Sequence, residues 1–271
     1  MSVSDSVDMN GESVDDPGCY IVLSDIHGNL QAYDAVIADI NDAVRRRIYT
    51  VKGVFLLGDI IDYGMSSNAV VESIRGDLSL RWPVKCNIWG NHERAVMLDD
   101  YERFSSERGV LSAKYTASVL TDATRGYLSD EMVHEGYMTC DLEKRILLVH
   151  GSLKDPYWGS VTPEDVQDSD GNLSYADYDV VFSGHSHVPH VFTKLYPCED
   201  KDLRGKKPTV FINPGSVGQP RNRNPLAQYA VWDPVTGETA LKTVRYDMDG
   251  AMSLYHGQVD DFYRDRLVNG V

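Results

Sequence analysis

The 271-residue chain has little positive charge, few cysteines and no long apolar run, and each shortage removes a class of function. Lys and Arg number 26 against 41 Asp and Glu, a formal net charge of −15, which argues against broad electrostatic attraction to nucleic acid or anionic membrane. A phosphate-bearing substrate must then meet a local positive site, and bound cations would supply one. The four cysteines, Cys19, Cys86, Cys140 and Cys198, form no Cys-x-x-Cys pair, so reduced thiols in a cytoplasmic protein are the simpler expectation. No apolar stretch approaches the ~20 residues that span a bilayer. The first residues show no basic segment followed by an apolar one, as a signal peptide would. Neither a Gly-x-Ser-x-Gly elbow nor a Walker A loop is present, which leaves no signal for a serine nucleophile or a P-loop phosphate cradle. Internal repeats and interdomain linkers are missing too.

What is there reads as a layered α/β domain. Residues 1–18 carry Asp5, Asp8, Glu12, Asp15 and Asp16 without a basic residue, and are expected to form a flexible acidic tail ahead of a domain over 19–271. Cys19 to Leu23 reads as a buried strand leading into Ser24-Asp25-Ile26-His27-Gly28-Asn29. Asn29 is suited to cap a helix in which Leu30, Tyr33, Val36, Ile37, Ile40 and Val44 recur at helical spacing. Arg45, Arg46 and Arg47 would complement the dipole of its last turn. Strands are expected at 54–57 and 84–89, with a short helix near 68–75 between them. The interval from about 94 to 132, rich in Ala, Ser, Thr and charge, reads as a mainly helical, cap-like insertion bordering the site and a candidate for substrate selection. A hairpin over 135–140 and 145–149 follows, then strands at 180–182, 191–195 and 210–212 and a hairpin over 228–232 and 240–244. Strand, polar tip and helix in repetition indicate an α/β layered fold. Residues 168–174 resemble part of a calcium loop, but the first carboxylate and the bidentate Glu are missing, so a turn is expected.

Five of the strand-like runs end in metal-ligating or proton-transferring residues: Asp25 and His27, Asp59, Asn91 and His92, His150, and His185 with His187. If the last strand continued through His185 and His187, they would share a face; on a loop, both rings could turn inward. In layered α/β sheets ligands bind beyond the C-terminal ends of the strands, so these residues would meet at one rim. Two carboxylates, one amide and four imidazoles without a thiolate suit borderline divalent ions such as Mn, Fe or Zn. They are too many for one tetrahedral ion, and a carboxylate can bridge two, which makes a dinuclear centre the economical expectation. His134, His190 and His256 lack such context and read as structural or surface residues, with His190 close enough to His187 to support a ligand indirectly.

Asp25-x-His27, Gly58-Asp59-x-x-Asp62, Gly90-Asn91-His92-Glu93, His150-Gly151 and Gly184-His185-x-His187, in this order, resemble the motifs of the calcineurin-like metallophosphoesterase superfamily. The resemblance spans residues 20–220. It implies a four-layer α/β/β/α sandwich of two mixed β-sheets flanked by helices, with two divalent metals at the strand ends. By that resemblance Asp25, His27 and His187 hold one ion, Asn91, His150 and His185 the other, and Asp59 bridges them. His92 would be the catalytic acid near the leaving group, oriented by Asp62. The implied activity is hydrolysis of phosphoric esters or anhydrides by a metal-bridging water or hydroxide.

Asn213-Pro214-Gly215-Ser216-Val217-Gly218-Gln219-Pro220-Arg221 is similar to a segment of the smaller prokaryotic phosphodiesterase-like branch. Arg221 and Arg223 either reach substrate phosphate or sit on a solvated loop. Asn222 to Pro225 and the pair Tyr157-Trp158 either line a substrate cleft or serve packing. The protein-serine/threonine-phosphatase branch has phosphate-binding arginines where this chain has Tyr63 and Trp89. The favoured substrate is therefore a small phosphodiester or a dinucleoside polyphosphate such as diadenosine tetraphosphate. A phosphoprotein phosphatase and a non-catalytic scaffold on the same fold are the alternatives.

Overall fold

The computed structural model describes residues 18–166 and 175–271 of the protein. The acidic segment ahead of Gly18 and the turn expected at 168–174 lie outside the described residues. The first half runs β1 (Cys19–Leu23), α1 (Leu30–Arg45), β2 (Val51–Leu56), α2 (Ser67–Ser73), a π-helical turn (Ile74–Leu78), α3 (Ser79–Arg81) and β3 (Val84–Asn87). Three helices follow, α4 (Asn91–Leu98), α5 (Glu107–Val119) and α6 (Asp122–Asp130), so the interval expected to be helical is helical. Then come β4 (Tyr137–Asp141), β5 (Lys144–Leu148), β6 (Val180–Phe182), β7 (His190–Pro197), β8 (Lys206–Asn213), β9 (Ala227–Trp232) and β10 (Thr239–Val244). Two short helices end the chain, α7 (Met248–Met252) and α8 (Asp261–Asn269).

The strands form two five-stranded mixed sheets, ordered β10-β9-β1-β2-β3 and β4-β5-β6-β8-β7. In the first, β1, β2 and β3 are parallel and β9 and β10 antiparallel; in the second, β5, β6 and β8 are parallel and flanked by antiparallel β4 and β7. The sheets pack face to face. Alternation along β1 sends Tyr20 and Val22 into the inter-sheet core with Phe55, Phe182, Ile212 and Trp232. Ile21 and Leu23 point the other way, into a core shared with Val36 and Ile40 of α1, Val70 of α2 and Ala113 of α5. With both faces covered, the central strands read as continuous apolar runs rather than alternating ones.

Local chemistry sets several boundaries. Asn29 caps α1 by accepting from the Ala32 N–H at 3.1 Å. Only Arg45 of the arginine cluster lies in the helix; Arg46 is its C-cap, Arg47 turns away with φ of 57°, and Arg45 and Arg46 pair with Asp42. The β4–β5 hairpin turns on Leu142 and Glu143 with φ of 46° and 63°, the doubly positive turn that matches strand twist. The sequence reading placed no helix after β10. Yet α8 carries its start and stop signals: Asp260 accepts from Phe262 N at its entry, and Gly270 ends it at φ of 61°. Its brevity hid the apolar stripe of Tyr263 and Leu267, which packs on Tyr63.

Asn29 does a second task. Its amide donates to the Gly218 carbonyl at 2.9 Å, tying α1 to the loop after β8. Asn29→Ala should remove the cap and leave a buried carbonyl unpaired, costing about 2 kcal/mol. A fall in Tm of about 4–8 °C by circular dichroism is expected; an unchanged Tm would remove Asn29 from the forces that seat this loop.

Candidate metal centre

All five chemistry-bearing stretches leave the C-terminal ends of parallel strands: Asp25 and His27 after β1, Asp59 after β2, Asn91 and His92 after β3, His150 after β5, and His185 and His187 after β6. The backbone there is bent. Asp25, His27, Asp59, Asp62, Tyr63, His185 and His187 all take positive φ, between 48° and 70°. Non-glycine residues enter that region at a cost of roughly 1–2 kcal/mol each. The strand does not continue through His185 and His187, and both rings turn inward from a loop. Gly58 and Gly90 permit the closest approach: a Cβ on Gly90 would lie 2.1 Å from Asp59 Oδ1, and one on Gly58 2.4 Å from the Gly90 nitrogen.

Two donor groups result. Asp25, His27, Asp59 and His187 form one, and Asp59, His150 and His185 the other; within each the ligand atoms lie within 4.8 Å of one another. Asn91 joins the second, its Oδ1 standing 3.1 Å from His150 Nε2 and 2.9 Å from His185 Nδ1. Asp59 Oδ2 is 3.2 Å from His150 Nε2 and 3.7 Å from His27 Nε2.

Hydrogen bonding identifies what these atoms offer. The Nδ1 atoms of His27, His150 and His187 each meet a backbone carbonyl, of Ile61 at 3.2 Å, Leu57 at 2.7 Å and Gln219 at 2.5 Å. A carbonyl only accepts, so Nδ1 carries the proton and, in the neutral ring, Nε2 presents its lone pair inward. His27 and His187 thus face each other, Nε2 to Nε2, at 3.1 Å. Asp25 Oδ1 is buried without a hydrogen-bond partner, 3.1 Å from His187 Nε2. Opposed lone pairs and an orphaned carboxylate oxygen in a dry site fit a divalent cation, and the all-nitrogen-and-oxygen set fits Mn, Fe or Zn.

Titration behaviour follows from the same crowding. Burial would raise Asp59, but the charges of His150 and His92 outweigh it and hold the carboxyl well below its usual range. Burial likewise opposes ionisation of Asp25, and His187 more than compensates, lowering it. Burial, with His92 beside it, keeps His27 neutral, and burial with His150 nearby depresses His185 to about 3. His150 goes the other way: burial disfavours its charge, but Asp59 raises it to about 9.

The sequence profile of the calcineurin-like phosphoesterase superfamily domain matches residues 20–237, a span containing every one of these donors. This chain belongs to that superfamily. It is a metallophosphoesterase, a hydrolase of phosphoric esters. An uncharacterised protein of Methanocaldococcus jannaschii is 30% identical over 263 residues, 92% of this chain and 97% of that one. A metallophosphoesterase from Sphaerobacter thermophilus superposes with a TM-score of 0.68 at 26% identity, covering 94% of this chain and 99% of its own. A hypothetical protein from Pyrococcus horikoshii OT3 shares the fold at a TM-score of 0.74 and 21% identity, over 93% of this chain and 98% of its own.

Around the donors of this phosphoesterase lies a support layer that motif reading only partly exposed. His92 Nδ1 bonds Asp62 Oδ2 at 2.6 Å, and the other oxygen of Asp62 accepts from Ser112 and Thr116, both at 2.7 Å. Those hydroxyls sit one turn apart on α5, a spacing that puts them on one face; nothing local in the sequence pairs them with Asp62. Burial would depress His92, but Asp59 and Asp62 raise it. Glu93, quoted in its motif without a role, accepts from the backbone N–H groups of Asp59, Gly90 and Ile60 at 2.8 Å and Ile61 at 3.2 Å. Burial and the Asp59 charge push Glu93 up to about 7, against the four donors that favour its ionised form.

A cleft of about 220 Å³ opens over the donors, lined among others by Tyr63, His92, Phe104, Trp158 and Arg221. Arg221 turns into it with Nε buried and unpartnered. Arg223 is exposed, its backbone N–H bonded to the Gly270 carbonyl, and it is not among the lining residues. Trp158 borders the cleft, whereas Tyr157 is buried and bonds the His134 carbonyl. Trp89 is turned away, donating to Leu128 O and stacked on His134 at 4.0 Å. His190 packs on Phe192.

A pH dependence follows for the protein kept free of metal by a chelator. His150 is raised from about 6.5 in the unfolded chain to about 9, so its contribution to stability is complete below pH 6.5 and is lost as pH rises through 9. Thermal unfolding should show Tm falling between pH 7 and 9.5, and His150→Gln should flatten that slope. A slope unaltered by the substitution would contradict the His150–Asp59 pairing.

Proposed function

We propose that this metallophosphoesterase hydrolyses small phosphodiesters or dinucleoside polyphosphates at a dinuclear centre of Mn, Fe or Zn. The observation that carries the reading is the sharing of Asp59 between two donor groups. In it Asp25, His27 and His187 serve one ion, Asn91, His150 and His185 the other, and Asp59 both. Bound divalent ions supply the charge that draws phosphoryl oxygens, acidifies a water and offsets the negative charge of in-line displacement.

The chain's own residues do the rest. Glu93 fixes the backbone of residues 59–61 and hence the position of the shared carboxylate. Asp62 accepts the His92 Nδ1 proton and leaves Nε2, 4.0 Å from Asp59 Oδ2, to face the cleft and protonate the leaving oxygen. Arg221 offers a guanidinium to the phosphoryl group, matched to its geometry. Tyr63 packs its ring against His27 and His92 at 4.6 Å and 4.4 Å and adds no positive charge. With Trp89 turned away as well, the monoester-binding arginines of phosphoprotein phosphatases have no counterpart at these positions, which supports diesters and anhydrides. No helix among the described residues is long and apolar enough to cross a membrane. The absence of a Cys-x-x-Cys pair among Cys19, Cys86, Cys140 and Cys198 supports a reducing, cytoplasmic setting.

Hydrolysis of bis(4-nitrophenyl) phosphate with added Mn, before and after chelation, tests the activity; no turnover with any divalent metal would favour a non-catalytic scaffold. His92→Ala should lower kcat by roughly 10²–10⁴-fold for diesters with alkyl leaving groups, and by less for bis(4-nitrophenyl) phosphate, with metal content near wild type. Asp59→Asn should deplete both metals. Equal metal loss in the two variants would contradict the roles assigned.

The hydroxyls on Asp62 give a finer test. Thr116→Val should cost about 10-fold in kcat for alkyl leaving groups and less for 4-nitrophenolate, which departs without a proton. Thr116→Ser should restore the rate. Equal losses on both leaving groups would make Thr116 a packing residue only.

A further inference from the structure

We propose that the leaving group of the substrate is an uncharged alcohol bearing a planar aromatic ring, a nucleoside, seated on Phe104 and Trp158. The inference rests on the hydrolase reading above and chooses within it, for nucleoside diesters and against dinucleoside polyphosphates.

The two flanks of the cleft differ in charge. On one, Arg221, whose backbone N–H bonds the His187 carbonyl, carries a buried Nε without a hydrogen-bond partner and has no ion-pair partner among the described residues, which leaves its charge for the phosphoryl oxygens. On the other stand Phe104, Trp158 and Arg103. There the guanidinium is already used: both terminal nitrogens of Arg103 bond Asp155, at 3.1 Å and 2.5 Å, and its plane lies over Trp158 at 5.5 Å. This flank is aromatic and electrically balanced.

It is also the leaving-group flank. Phe104 meets the ring of His92 edge-on at 5.1 Å, and Trp158 meets His185 at 6.2 Å. Tyr63 also meets His92, at 4.4 Å, but is buried and stacked on Tyr263 at 4.3 Å, so a group departing from beside His92 rests against the more open rings of Phe104 and Trp158. A nucleotide leaving group would bring its own phosphates to a wall whose cation is taken, whereas a nucleoside brings a base to stack and no charge. Base stacking on an aromatic side chain strengthens binding by roughly tenfold or more.

The wall is held in place rather than left by chance packing. Phe104 and Trp158 meet edge to face at 5.3 Å and 86°. Gly109 makes room for Phe104, since a Cβ there would lie 2.9 Å from its Cδ1. Trp158 N–H bonds Asp155 Oδ1 at 3.2 Å, so one carboxylate fixes the Trp158 loop and, through Arg103, joins it to the loop before α5.

With the Mn-loaded enzyme, kcat/KM is compared for a dinucleoside monophosphate, diadenosine tetraphosphate and glycerophosphoglycerol, a diester without rings. The dinucleoside monophosphate should exceed both others by at least tenfold. Trp158→Leu and Phe104→Leu should each shrink that preference about tenfold, chiefly through KM. A second measurement needs no turnover: Trp158 emission, taken as wild type minus Trp158→Phe, should be quenched by adenosine at concentrations at least tenfold below those at which ribose acts. Preference for diadenosine tetraphosphate, equal losses on all three substrates, or adenosine acting no better than ribose would each overturn the proposal. Absence of bis(4-nitrophenyl) phosphate hydrolysis would instead sink the hydrolase reading, and the adenosine titration would still decide whether these rings take a base.

Discussion

The Nε2 atoms of His27 and His187 oppose each other at 3.1 Å, each with its other nitrogen committed to a backbone carbonyl, and the rim of the two sheets is built to hold that opposition. Unrelieved, two lone pairs in a dry site repel, and an orphaned Asp25 oxygen beside them adds a buried acceptor without a donor. A cation turns both costs into ligation. The seven positive-φ residues clustered here show where the chain spends conformational energy, and the sheets and their helices over-determine the geometry that keeps those residues strained.

That constraint explains the second layer. Glu93 binds four N–H groups from two strand ends, which makes the position of Asp59 a property of β2 and β3 together. The loop after β8 clamps the other side: Ser216 Oγ and the Gly218 N–H both bond the Asp25 carbonyl. Helix α5 reaches in with Ser112 and Thr116 to saturate Asp62, so the helical segment supports His92 as well as bordering the cleft. A carboxylate accepting three hydrogen bonds is held in one orientation, and so is the imidazole it grips.

An acidic protein that handles phosphate needs its positive charge concentrated, and here the chain itself contributes little of it. Among the described residues Arg221 has no ion-pair partner on one flank, Arg103 is neutralised by Asp155 on the other, and bound cations would supply the remainder. The asymmetry of the cleft thus comes from pairing rather than from the number of arginines.

Much of this was legible in the chain itself. Donor types and order, the strand ends that carry them and the α/β layering follow from short-range pattern: an apolar run, a polar tip, a helix signal such as Asn29. Periodicity marked α1, composition marked the interval 94–132 as mainly helical without dividing it into α4, α5 and α6, and neither reached α8, whose stripe is too short to register. Tertiary structure decided the rest, because it depends on residues distant in sequence. Only the fold could separate Arg221, in the cleft, from Arg223, exposed two residues later. Only the fold could seat Thr116 on Asp62 or set Arg103 against Asp155, pairs separated by 54 and 52 residues. Local sequence chooses which atoms a strand end presents; the packing of two sheets and the bend of each loop choose which of them meet.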